Sequence, residues 1–168
     1  LVSSTACLSV RCWCSLLWRW FFLGRMVEKG VAVSGGGPDS IGVPEDLDRL
    51  DNSIGVLFSA EGLQTLEGDR ANVKKRYASG MRMAGMVHFF DNELAGSMHG
   101  IEKGGLTDFG RTIVRDMESM GMIVDIAHSS HATVADILKM AKRPVVSSHG
   151  GVQAVCGVNR NLTDAEIR

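Results

Sequence analysis

Four side chains able to bind a metal or move a proton each close an apolar run in this sequence. Glu61 ends SIGVLFSAE (53–61), His88 ends MRMAGMVH (81–88), His128 ends MIVDIAH (122–128) and His149 ends PVVSSH (144–149). A lone histidine at a strand end is more often a hydrogen-bonded structural residue than a ligand. Here that coincidence would have to occur three times in successive units, and two imidazoles with one carboxylate form a typical zinc donor set with room for water. Glu61, His128 and His149 are therefore expected to be metal ligands. His88, followed by FFDN (89–92) at the start of a long loop, is expected to contact substrate. Within GVNRNLTD (157–164), Arg160 is placed to clamp a substrate carboxylate through two parallel hydrogen bonds, although on chemistry alone a solvated surface arginine is the simpler reading. His99 and His131 read as surface residues.

The elements that must position these groups follow a regular rhythm. Each of the four apolar runs is short and β-prone, and helical patterns separate them. GDRANVKKRYASG (68–80) reads as a helix with Asp69 at its N-cap and Gly80 as its stop. In TDFGRTIVRDMESMG (107–121), Thr107 is the expected N-cap, Phe109, Ile113, Met117 and Met120 form an apolar stripe, and Gly121 ends the helix. HATVADILKMAKR (131–143) places Val134, Ile137, Leu138 and Ala141 on one face. Thr163 to Glu166 form a capping box that opens a last helix. The resulting order, βαβαβαβ-loop-α with near-continuous apolar strands, predicts a parallel sheet covered by helices. Two architectures fit that pattern, a doubly wound sheet and a (β/α)8 barrel. In a barrel, the C-terminal strand ends share one face, where Glu61, His88, His128 and His149 would converge.

Composition narrows the class. The 168 residues suit one domain or part of a larger one, 45% are hydrophobic and 22% charged, and the net charge is -1. That balance gives no electrostatic reason to expect a nucleic-acid partner. Cys7, Cys12 and Cys14 crowd the start while Cys156 stands alone. They read as unpaired thiols in a reducing compartment, which favours the cytoplasm, with an exported or membrane-associated protein as the alternative. The stretch CWCSLLWRWFFLG (12–24) is apolar, but Arg19 interrupts it and leaves it short of a membrane span. Residues 1–52 are expected to be a poorly defined leader and linker, and Gly35 to Gly37 within them lack the Lys-Ser/Thr of a phosphate loop.

Five motifs in order, GVLFSAEG, HFFDN, GGLTDFGRTIVRDMESMGMIVDIAHSS, PVVSSH and NRNLTD, resemble the membrane dipeptidase (renal dipeptidase) family of zinc peptidases, most closely its bacterial members. The resemblance covers residues 53–168. It implies a (β/α)8 barrel of the metal-dependent hydrolase type with two zinc ions that cleave dipeptides. It further implies that Glu61 bridges both zincs and that His128 and His149 complete the second. By the same resemblance His88 would hydrogen-bond the substrate and Arg160 would bind its C-terminal carboxylate. The family's His-x-Asp pair, which serves its first zinc, has no counterpart: none of the five histidines is followed by aspartate two places on. A late aspartate near the metals would lie beyond residue 168. The expectation is therefore the middle part of a barrel, about four of eight βα units, holding at most one zinc and inactive alone, with its open edges favouring a homodimer. The competing expectation is a catalytically dead half-barrel that serves as a binding or assembly module, or a gene remnant.

Overall fold

The computed structural model describes residues 44–49 and 55–168. The apolar stretch 12–24, the glycine triplet and Cys7, Cys12 and Cys14 lie outside the described residues. The short helix of the 3-10 type at Pro44–Arg49 falls in the segment expected to be linker.

Three parallel strands form the sheet in the order β1 (Ser59–Ala60), β2 (Met83–Gly85), β3 (Ile123–Asp125). Helices α1 (Ala71–Ala78), α2 (Asp108–Ser119), α3 (His131–Met140) and α4 (Asp164–Ile167) complete the order, with a 3-10 turn at Leu63–Leu66. This is the expected α/β alternation. Ala84 and Gly85 of β2 and Val124 and Asp125 of β3 are buried in succession although successive residues of a strand face opposite ways, so the sheet is covered on both faces. Around them pack Leu63, Leu66, Val73, Ile113, Met117 and Ile137.

The local signals act as chemistry dictates. Thr107 accepts the N–H of Gly110 at 3.0 Å and starts α2. Ile113 and Met117 of its stripe are fully buried, with Phe109 and Met120 partly so. Gly121, at φ 77°, supplies the left-handed residue that ends the helix. The capping box of Thr163 and Glu166 is formed in both directions. Asp69 sits one residue outside the N-cap of α1, which is Arg70, and accepts the N–H of Ala71 at 2.8 Å. On α3, Val134 and Ile137 are buried, but Leu138 is exposed and Ala141 lies just past the helix end.

The fourth expected strand, 144–149, is reduced to one parallel bridge between Val146 and Asp125. Val146 exchanges backbone hydrogen bonds with Val124 and Ile126 at 3.0 and 2.8 Å. The next donor, Ser148 N–H, turns to the Asp125 side chain at 3.0 Å, and the ladder stops there. Cys156 is disulfide-bonded, against the expectation of unpaired thiols. Among the described residues, no helix is long and apolar enough to cross a membrane.

Candidate metal centre

Parallel register does the positioning. Gly85, Asp125 and Val146 stand in line across neighbouring strands, and His88, His128 and His149 each lie three residues beyond one of them. Glu61 follows Ala60, whose partner Ala84 is one step before Gly85. All four groups thus leave the sheet at its C-terminal edge, where open parallel sheets bind ligands.

They meet there. Glu61 Oε2 lies 3.0 Å from His88 Nε2, and Oε1 lies 3.5 Å from His149 Nε2. His149 Nε2 faces His128 Nε2 at 2.8 Å. The rings of His88 and His128 meet edge-on with centroids 4.5 Å apart. Gly62, at φ 84°, makes the approach of Glu61 and His88 possible, since a Cβ there would stand 3.2 Å from His88 Cβ. His128 itself has φ 66°, a strained left-handed conformation that histidine enters more readily than most residues. Met98 N–H holds it in place by donating to the His128 carbonyl at 2.8 Å.

One donor atom from each of Glu61, His128 and His149 lies within 4.8 Å of the others, a grouping that can hold a metal ion. The chemistry of the set fits. Two imidazole nitrogens pointing at each other share one proton, and a metal ion can take that proton's place by accepting both lone pairs. Nitrogens bound to one tetrahedral zinc at about 2.0–2.1 Å stand about 3.3 Å apart, close to the spacing seen here. Burial pushes His128 down to about 3, helped by the positive charge of Arg160 and by His88, His149 and His99. The ring is therefore neutral at physiological pH and offers a lone pair.

Arg160 lies at the rim, donating from Nη2 to the His149 carbonyl at 3.1 Å. Burial lowers its pKa, while Asp125 and Glu61 act to raise it. No carboxylate lies within 4 Å of it among the described residues. His99 is exposed as expected, yet its ring stands 5.5 Å from that of His128, with Phe89 beside both. His131 is half-buried rather than a simple surface residue: Nδ1 meets Glu166 Oε1 at 2.7 Å, away from the cluster.

Comparison with known proteins gives this geometry its context. The family model for membrane dipeptidase, peptidase family M19, matches residues 41–168. The chain belongs to the membrane dipeptidase family. Dipeptidase aclJ of Aspergillus oryzae is 36% identical over 113 residues, which cover 66% of this chain and 27% of that relative. The crystal structure of the probable dipeptidase PvdM from Pseudomonas aeruginosa superposes with a TM-score of 0.74 at 26% identity, over 89% of this chain and 39% of that one. A metallopeptidase from Rhodobacter sphaeroides, liganded with a phosphinate mimic of the dipeptide L-Ala-D-Ala, shares the fold with a TM-score of 0.70 at 21% identity. This chain spans about a quarter of the length of the first relative and well under half of PvdM.

Membership in a metallopeptidase family implies a metal ion, and among the described residues the Glu61, His128 and His149 donors form a group that could hold one. Two residues beside it were not singled out in the sequence. Asp125, buried within β3, accepts the hydroxyl of Ser148, and Ser148 Oγ lies 3.0 Å from His149 Nδ1. The signal for Asp125 was an unpaired acid inside MIVDIAH, since aspartate is almost never buried without partners.

Proposed function

We propose that residues 53–168 are the middle part of a (β/α)8 barrel that hydrolyses dipeptides with zinc, held here by Glu61, His128 and His149. One observation carries the reading: three donors from three separate βα units converge within 4.8 Å at one edge of the sheet. The fit to PvdM supports the barrel. The dipeptidase relatives support the substrate class.

Zinc bound there would polarise the scissile carbonyl and lower the pKa of a water molecule. The chain's own residues do the rest. Arg160, with no carboxylate within 4 Å among the described residues, pairs with the C-terminal carboxylate of the dipeptide, and a second residue beyond that carboxylate would be excluded. His88, held 3.0 Å from Glu61, presents its ring to the carbonyl oxygen as negative charge develops on it. Glu61 completes the donor set with the two imidazoles and would offset the metal's charge.

The test is chelator-sensitive hydrolysis of dipeptides, read by release of free amino acids, by the protein encoded by the whole gene that carries this sequence. Activity is expected to vanish in His149→Ala and on chelation. Hydrolysis that survives either treatment overturns the reading.

A further inference from the structure

Asp125 is a carboxylate only 4% exposed at the end of β3, and both of its oxygens are engaged. Oδ1 accepts the N–H groups of Ala127 and Ser148, each at 3.0 Å. Oδ2 accepts the hydroxyl of Ser148 at 2.5 Å. A serine hydroxyl has one proton to give. With that proton directed at the carboxylate, Ser148 Oγ can meet His149 Nδ1, 3.0 Å away, only as an acceptor. Nδ1 must then carry the imidazole proton. In the neutral ring His149 Nε2 is then a bare lone pair, facing Glu61 at 3.5 Å and His128 at 2.8 Å.

We propose that Asp125 acts through Ser148 as the positioning group for His149, fixing its Nδ1–H tautomer and aiming Nε2 at a metal ion. The inference rests on the metal-site reading above and deepens it. Such outer partners fix ring orientation and raise ligand basicity, and losing one typically weakens metal binding about 10–100-fold. The device is built into the backbone, because the carboxylate that takes the Ser148 hydroxyl also takes the Ser148 N–H. The backbone bond keeps Ser148 beside the carboxylate, so its hydroxyl has Oδ2 at hand. His128 has no equivalent: its Nδ1 is buried and makes no hydrogen bond among the described residues. His149 is thus the ligand with a preset tautomer, and His128 the one whose proton must adjust.

Two substitutions separate this from plain packing. Ser148→Ala removes the acceptor, but His149 is 43% exposed at its side chain and water can partly replace it. Asp125→Asn keeps the shape and reverses the relay: an amide N–H points at Ser148 Oγ, the hydroxyl turns to His149 Nδ1, and Nε2 becomes protonated. The experiment combines nitrogen-15 NMR of the histidine rings in the metal-free chain with zinc titration against a chromogenic chelator. The unmodified chain should show His149 as Nδ1–H. Zinc affinity should fall about 10-fold in Ser148→Ala, recover in Ser148→Thr, and fall towards 100-fold in Asp125→Asn with the tautomer reversed. An Nε2–H tautomer in the unmodified chain overturns the proposal, as does unchanged zinc affinity in both Ser148→Ala and Asp125→Asn. If Asp125→Asn does not fold, the exposed Ser148 pair of variants decides. If the unmodified chain takes up no zinc, the metal-site reading fails, and the tautomer of the metal-free ring still decides the role of Asp125.

Discussion

Mild acid should weaken the metal-free protein through His128, and the size of the effect follows from the ring's surroundings. The residue is 8% exposed and sits among Arg160, His88, His149 and His99. Burial first, and then these cationic or protonatable neighbours, push its pKa from the ordinary 6.5 down to about 3. In the unfolded chain the same ring takes up a proton near pH 6.5. Between those values the unfolded state binds more protons than the folded one, so stability falls as pH drops below 6.5 and the loss is complete near pH 3. At pH 5 the linkage amounts to about 2 kcal/mol if the ring stays fully neutral in the fold, and about 1 kcal/mol after allowance for solvent at the sheet edge. His128→Asn removes the titration, and asparagine tolerates the left-handed backbone. Urea unfolding of both proteins, in chelator at pH 7.5 and at pH 5.0, isolates the effect because other titrating groups contribute alike to each. The unmodified chain should lose about 1–2 kcal/mol more than the variant over that interval. Equal losses would refute the reasoning, since His128 would then titrate normally in the fold.

Two further outcomes follow from the geometry. Gly110→Ala, which ordinarily strengthens a helix by up to about 1 kcal/mol, should instead destabilise the protein by about 1–3 kcal/mol in urea unfolding. The new Cβ would stand 2.0 Å from the Leu94 carbonyl oxygen, which also accepts the Thr107 N–H that anchors the start of α2. Unchanged or raised stability there would mean the contact is not as close as described. Arg160→Ala, in the protein from the whole gene, should raise KM for dipeptides about 10–100-fold, the worth of a charge-assisted pair, with a smaller change in kcat. Dipeptide amides, which lack the carboxylate, should not distinguish the variant; an equal effect on them would remove Arg160 from the carboxylate.

Period and punctuation in the sequence were enough to place the helices, because Thr107, Gly121 and the Thr163–Glu166 box act within one turn of chain and need no tertiary partner. The three donors were legible for a similar reason: a parallel strand delivers whatever ends it to the same edge. What the sequence hid depends on contacts between distant residues. PVVSSH has the composition of a strand, but only the Asp125 carboxylate, more than twenty residues earlier, decides that Ser148 N–H leaves the ladder. Leu138 matches the period of α3, yet it stays exposed. His131 looked like a helix-start surface residue because its partner Glu166 belongs to another element.

The shortness of the fourth strand and the preparation of His149 have one cause. In a continued parallel ladder Ser148 N–H would donate to the Ile126 carbonyl, but that carbonyl accepts the Ser129 N–H and Ser148 N–H donates to Asp125 Oδ1. A bond to a carboxylate is worth at least as much as a neutral ladder bond, so the fold loses little by the exchange. Only the carboxylate bond brings the Ser148 hydroxyl onto Oδ2 and its oxygen onto His149 Nδ1. A longer, more regular strand through 148 would pull Ser148 away from the carboxylate. His149 would then stand at the same sheet edge, three residues past the same register, with no group to decide which nitrogen carries the proton. Regularity and function compete at this residue, and the buried charge in the middle of an apolar run is what settles the competition.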